Sequence, residues 1–97
     1  MNIVFTPKLI EKENIANLSF PEEDVLSSNR ERANRMKDLK NARELGDLAQ
    51  YKVKILFQDA SGPKKVETTV WNTTREEVVL KYGVAIPIRR VFRVMFP

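Results

Sequence analysis

The sequence predicts an α+β fold: an apolar N-terminal arm over residues 1–28, then a domain over residues 29–97. That domain is one main helix followed by a five-stranded, strongly bent, antiparallel, barrel-like sheet. Three observations predict it. Helix-forming residues crowd the chain before Gly46, whereas β-branched residues and most of the aromatics follow it. From Tyr51 onward, apolar and polar side chains alternate with a period of two. Clusters of turn-forming residues then recur at short intervals, as short antiparallel strands require. A length of 97 residues suffices for one such domain. With 42% hydrophobic and 31% charged residues, the chain is too apolar for disorder and too polar for a membrane protein.

In the arm, Ile3 and Phe5 alternate as in a short strand, and Thr6-Pro7 suits the cap of a short helix reaching Leu18. Ile3, Val4, Phe5, Leu9, Ile10, Ile15, Leu18 and Phe20 are too many apolar residues for a solvated tail. The arm is therefore expected to pack on its own domain or on a neighbouring copy, which would give a homo-oligomer. Pro21-Glu22-Glu23-Asp24 has the proline and acids of a helix start. Ser28 and Glu31 offer a second start at capping-box spacing. Asn29 to Leu45 reads as the main helix, with Gly46 suited to the residue just past its end. Ala33, Met36, Leu39, Ala42 and Leu45 recur every third residue, so this stripe drifts by about 60° per step and is not one clean face.

The strands follow. Tyr51, Val53, Ile55 and Phe57 alternate with Lys52, Lys54, Leu56 and Gln58. Asp59 to Pro63 is a turn by composition, and Lys65 to Thr73 a second strand with Val66, Thr68 and Val70 on one face. Val78 to Tyr82 forms the third, with a reversal at Gly83. Val84, Ile86 and Ile88 mark the fourth, which Pro87 confines to an edge or a bend. Val91 to Phe96 is the fifth. The expected core is Val53, Ile55, Phe57, Val66, Val70, Leu80, Ile86, Ile88 and Val91.

The chain has no cysteine and no histidine. Thiolate nucleophiles, disulfides and cysteine metal sites are thereby excluded, and with them the commonest acid–base group and most zinc sites. The carboxylates Glu22, Glu23 and Asp24 read as helix-start charges, and Glu76 with Glu77 as a solvated turn. No Walker, dinucleotide or zinc pattern is present, so neither catalysis, nor a metal, nor a cofactor is expected. A PilZ-type cyclic-dinucleotide receptor would need Arg-x-x-x-Arg, but Arg30, Arg32 and Arg35 are spaced two and three apart. The opening Met1 to Thr6 has no basic region or long apolar run, and no stretch approaches the length of a membrane span. A cytoplasmic location is expected.

Charge is unevenly placed. Residues 1–27 carry a net −3, residues 28–50 a net +2, and residues 51–97 a net +5. A basic carboxy-terminal half suits a polyanion or an acidic protein. In that half Lys52, Lys54, Lys64, Lys65, Arg75, Arg89, Arg90 and Arg93 surround Tyr51, Trp71, Tyr82 and Phe92. Cations interleaved with aromatics are the pattern by which single-stranded nucleic acid is gripped.

The segment Gly83-Val84-Ala85-Ile86-Pro87-Ile88-Arg89-Arg90-Val91 resembles Sm-like proteins and related small bacterial β-barrels, in which a strand ending Ile-Arg-Gly precedes the last strand. Ile88 and Arg89 match; Arg90 stands in place of the glycine. The resemblance implies a helix capping a five-stranded barrel, and an RNA-contacting role for Arg89.

The reading is a non-enzymatic binding module. A nucleic-acid-associated surface would use Lys52, Lys54, Arg75, Arg89, Arg90 and Arg93, with Arg89 and Arg90 projecting from the barrel end and Arg93 beside them. The alternative is a protein-interaction or assembly module using Trp71, Ile3 and Phe5.

Overall fold

The computed structural model describes residues 6–97. Ile3 and Phe5, with the strand pattern read on them, lie outside the described residues. In chain order the elements are β1 (Lys8–Leu9), a 3-10 turn (Lys12–Asn17), α1 (Asn29–Ala49), β2 (Val53–Asp59), β3 (Gly62–Thr68), β4 (Val70–Thr73), β5 (Glu77–Leu80), β6 (Ala85–Pro87) and β7 (Val91–Met95). Two further 3-10 turns, Lys81–Gly83 and Ile88–Arg90, precede β6 and β7.

Helix α1 begins where the capping box places it. The Ser28 hydroxyl accepts a hydrogen bond from the Glu31 backbone N–H at 3.0 Å. Pro21 to Asp24 is not helical; the Asp24 carboxylate instead accepts the Leu26 N–H at 2.8 Å, folding a local turn before the cap. The helix also outruns its expected end. It passes through Gly46 to Ala49, and Gln50 closes it in the left-handed conformation with φ 56°. Gly46 has a different reason to be glycine: a Cβ there would lie 2.4 Å from the Val70 carbonyl oxygen of β4. The helix and strand backbones touch at this point, which only a residue without a side chain permits. The buried face of α1 is Arg35, Leu39, Ala42 and Gly46, a true helical spacing in which the every-third-residue stripe shares only two members.

The strands form two sheets and, among the described residues, no closed barrel. The four-stranded sheet has the order β1-β3-β2-β7 and the three-stranded sheet β4-β5-β6. The expected second strand is split at Thr69: β3 pairs with β2, and β4 with β5. Thr68, Thr69 and Val70 are all buried, so side-chain alternation breaks as the chain crosses from one sheet to the other. All pairings are antiparallel except that of β1 with β3, which is parallel, with Leu9 opposite Lys65.

All nine expected core residues are buried between the sheets and α1, joined by Leu39 and Ala42 of the helix and Ile15 of the arm. The described part of the arm packs on its own chain. Ile10 N–H donates to the Lys65 carbonyl at 2.9 Å, Ala60 N–H to the Ser19 carbonyl at 2.8 Å, and the Phe20 ring sits 6.2 Å from that of Phe57.

Two carboxylates are locked into this frame. Asp24 faces Arg35 through two hydrogen bonds of 2.8 Å. These bonds lead in holding its carboxyl below the ordinary 3.8. Burial pushes the Asp59 carboxyl up, but hydrogen bonds from Lys64 and Ser61 outweigh it and hold this group low as well.

Two outcomes follow from the packing and the charges. Ile55→Ala and Ile86→Ala should each cost about 2–5 kcal/mol and visibly lower the melting temperature in thermal circular dichroism. The two carboxylates protonate at lower pH in the folded chain than in the unfolded one. Their stabilisation is therefore complete above the unfolded value and is lost as pH falls through the folded values, below 3.8. Asp24→Asn should be less stable than the natural chain in urea at neutral pH, with the gap narrowing in acid; a gap constant from neutral pH to strong acid would contradict the ion pair.

Candidate nucleic-acid interface

The six basic residues singled out in the sequence fall into three different settings. Lys54 on β2 points to the outer face of the four-stranded sheet, opposite Glu67 of β3 and Met95 of β7. One step along, Leu56 is flanked by Lys65 and Arg93. With strands about 4.8 Å apart, the two cations stand roughly 10 Å apart across Leu56. Lys52 extends the row just before β2, and a shallow hollow of about 320 Å³ is lined by Lys52, Lys54, Glu67, Met95, Phe96 and Pro97. Lys52, Lys54 and Arg93 are exposed and Lys65 is partly so. None of the four forms an ion pair among the described residues, and Glu67 is the one carboxylate on this face among them. The exposed side chain of Phe96 borders the hollow.

Arg90 is in the opposite situation. It is only 5% exposed; its Nε donates to the Gln58 carbonyl at 2.9 Å and its Nη1 to the Glu23 carbonyl at 2.8 Å. The projection from a barrel end expected for Arg90 is therefore not the arrangement found. A 3-10 turn over Ile88–Arg90 rotates its side chain inward, where it clamps the arm to β2. Arg89 is half-buried and turned to the same task, donating to the Pro21 carbonyl at 3.0 Å and the Phe20 carbonyl at 3.4 Å, with Glu22 at 3.6 Å. Arg90 is not presented to solvent, and Arg89 is engaged by the arm and borders a different hollow from that of Lys52 and Lys54.

Arg75 lies apart from Lys52, Lys54 and Arg93. It borders a cleft of about 460 Å³ with Glu22, Asp24, Arg32, Arg35 and Arg89. Arg35 is held by Asp24, Arg32 by the Leu26 carbonyl and Arg89 by the arm, while Glu76 adds a third carboxylate to the lining. The cations of this cleft are largely neutralised from within, and its walls join the arm, helix and β-structure rather than forming an open anion receptor.

Trp71 stands on the three-stranded sheet, against Tyr82. Sequence reasoning named both rings but had no means of placing Lys12 and Lys81, which lie 5.2 and 5.4 Å from the Tyr82 ring centre. Lys12 reaches it only because its 3-10 turn packs against both β3 and β6. No local pattern announces that crossing. Lys65 was visible in the charge pattern, and its register opposite Leu56 adds it to the outer face.

Among the described residues no helix is long and apolar enough to cross a membrane. Comparison with protein-family models, curated proteins and solved structures finds no match.

The divided arginines give a direct contrast. Arg90→Glu removes two buried hydrogen bonds and should cost at least about 2 kcal/mol, whereas Arg93→Glu should stay within about 0.5 kcal/mol of the natural chain. Equal melting temperatures for the two variants would contradict this placement.

Proposed function

We propose that the protein is a non-enzymatic module that binds single-stranded nucleic acid across the outer face of the four-stranded sheet. The observation that carries the reading is the set Lys52, Lys54, Lys65 and Arg93: four cations on or beside one sheet face, opposed there by a single carboxylate, with no ion pairs among the described residues. Side chains on alternate residues of adjacent strands present a grid of charge to a flexible polyanion, and the apolar surface of Met95 and Phe96 beside them suits the less polar parts of a nucleotide. An opposite charge needs no close partner within the protein to be displaced first.

The helix ahead of β2 to β7 and the short link between β6 and β7 support the resemblance to Sm-like chains. Arg89, to which that relationship would assign RNA contact, is engaged by Phe20, Pro21 and Glu22 and is not part of the proposed surface. Arg90 is omitted for the same reason, and Arg75 for its distance in the fold from the row of cations. The proposed compartment is the cytoplasm.

A fluorescently labelled single-stranded oligonucleotide, followed by anisotropy, tests the reading. Affinity should fall log-linearly with salt, with a slope near −2 to −3 for about three or four phosphates engaged on a single strand. Lys54→Glu combined with Arg93→Glu should weaken binding at least about tenfold while leaving the melting temperature nearly unchanged. Absence of binding at low salt, or binding indifferent to the double reversal, would overturn the proposal.

A further inference from the structure

Two backbone irregularities bring two exposed aromatic rings to one place. Between Val70 and Asn72 the pairing of β4 with β5 slips by one residue, so Trp71 is the extra residue of a β-bulge. Bulges re-aim the side chain they carry. Tyr82 adopts the left-handed conformation, φ 69° and ψ 16°, which is disfavoured for an aromatic residue. Backbone hydrogen bonds from Lys81 N–H to the Thr69 carbonyl at 3.0 Å and from Leu80 N–H to the Val84 carbonyl at 2.6 Å hold it there. The rings meet edge to face at 5.7 Å and 67°, yet 44% of Trp71 and 69% of Tyr82 remain exposed. Core packing accounts for neither conformation, because neither ring is in the core.

The surroundings are cationic. Lys12 and Lys81 approach the Tyr82 ring from the 3-10 turn of the arm and from the residue before Tyr82. Lys12 also pairs with the exposed Glu13 at 3.2 Å, a surface contact weak enough to exchange for another anion. The arm runs from the edge of the four-stranded sheet to this site. Leu9 lies opposite Lys65, Ile10 N–H donates to the Lys65 carbonyl, and Lys12 follows two residues later, within about 7 Å of chain.

We propose that Trp71 and Tyr82 are a nucleobase-stacking platform, with Lys12 and Lys81 taking the neighbouring phosphates of the bound strand. This inference rests on the nucleic-acid reading above and adds to it a site for the bases. Aromatic faces flanked by cations match the two halves of a nucleotide, the flat base and the charged phosphate, and stacking accepts any base.

The chain supplies its own probe, since Trp71 is its one tryptophan. Titration with an unlabelled oligothymidylate at low salt should quench Trp71 emission saturably. An abasic oligonucleotide of equal charge should bind more weakly and leave the emission nearly unchanged. Tyr82→Asn removes the ring while keeping a residue that tolerates the left-handed backbone, so the fold should survive. It should weaken oligothymidylate binding about 5- to 150-fold and leave the salt slope unaltered. Unchanged Trp71 emission, with anisotropy still reporting binding that the Lys54 and Arg93 reversals abolish, would overturn the platform and leave the sheet-face reading standing. Equal quenching by the abasic strand would overturn stacking as well. Loss of self-association in Tyr82→Asn, without any effect on oligonucleotide affinity, would overturn it in favour of a protein contact. Failure of every oligonucleotide to bind would overturn both readings.

Discussion

One guanidinium joins the three parts of this molecule. Arg35 projects from the buried face of α1, and both of its Nη groups bind Asp24 of the arm at 2.8 Å. Nη1 also donates to the Val91 carbonyl at the start of β7, at 3.0 Å. Helix, arm and sheet are thus fixed relative to one another by a planar fork whose geometry leaves little freedom. The guanidinium is buried, so without Asp24 it would be a desolvated charge. Arg90 and Arg89 repeat the device from the other side, using backbone carbonyls of the arm as acceptors. The arm is held chiefly by arginines that donate to it, and by Ile15, Phe20 and the short β1 pairing beneath.

This arrangement separates two uses of positive charge. The cations that organise the fold, chiefly arginines with several donors each and also Lys64 on Asp59, have fixed partners. Those that remain available on the outer sheet face are three lysines and Arg93, standing on alternate strand positions with no ion pair among the described residues. Net charge alone does not distinguish the two groups; their hydrogen-bond partners do.

The same distinction explains what could be read from the chain. Alternation along Val53, Ile55 and Phe57 made β2 and its buried face legible, because a strand buried on one side must repeat every two residues. Ser28 and Glu31 likewise marked the start of α1. Gly46 misled for a physical reason: a glycine needed for close approach to Val70 looks the same in sequence as one that ends a helix. The break at Thr69 was invisible because both halves of the strand keep β-forming residues, and only the change of partner divides them. Lys52, Lys54 and Arg93 share a face that strand parity and register make intelligible. The burial of Arg90 depends on a single 3-10 turn and on carbonyls 32 and 67 residues away, for which the local sequence carries no signal.

The long reach of those contacts has a consequence for the order in which the chain acquires its structure. Residues 20 and 21 are bound by Arg89, made 68 to 69 residues later. At a synthesis rate of roughly 5–20 residues per second, that interval is about 3 to 14 s. In the first part of it, before β2 and β3 are made, the apolar side chains of Ile15 and Phe20 exist without the strands that cover them. The segment translated early is among the last to settle, so a nascent chain of this protein passes through a window in which a holding chaperone would find its arm undocked.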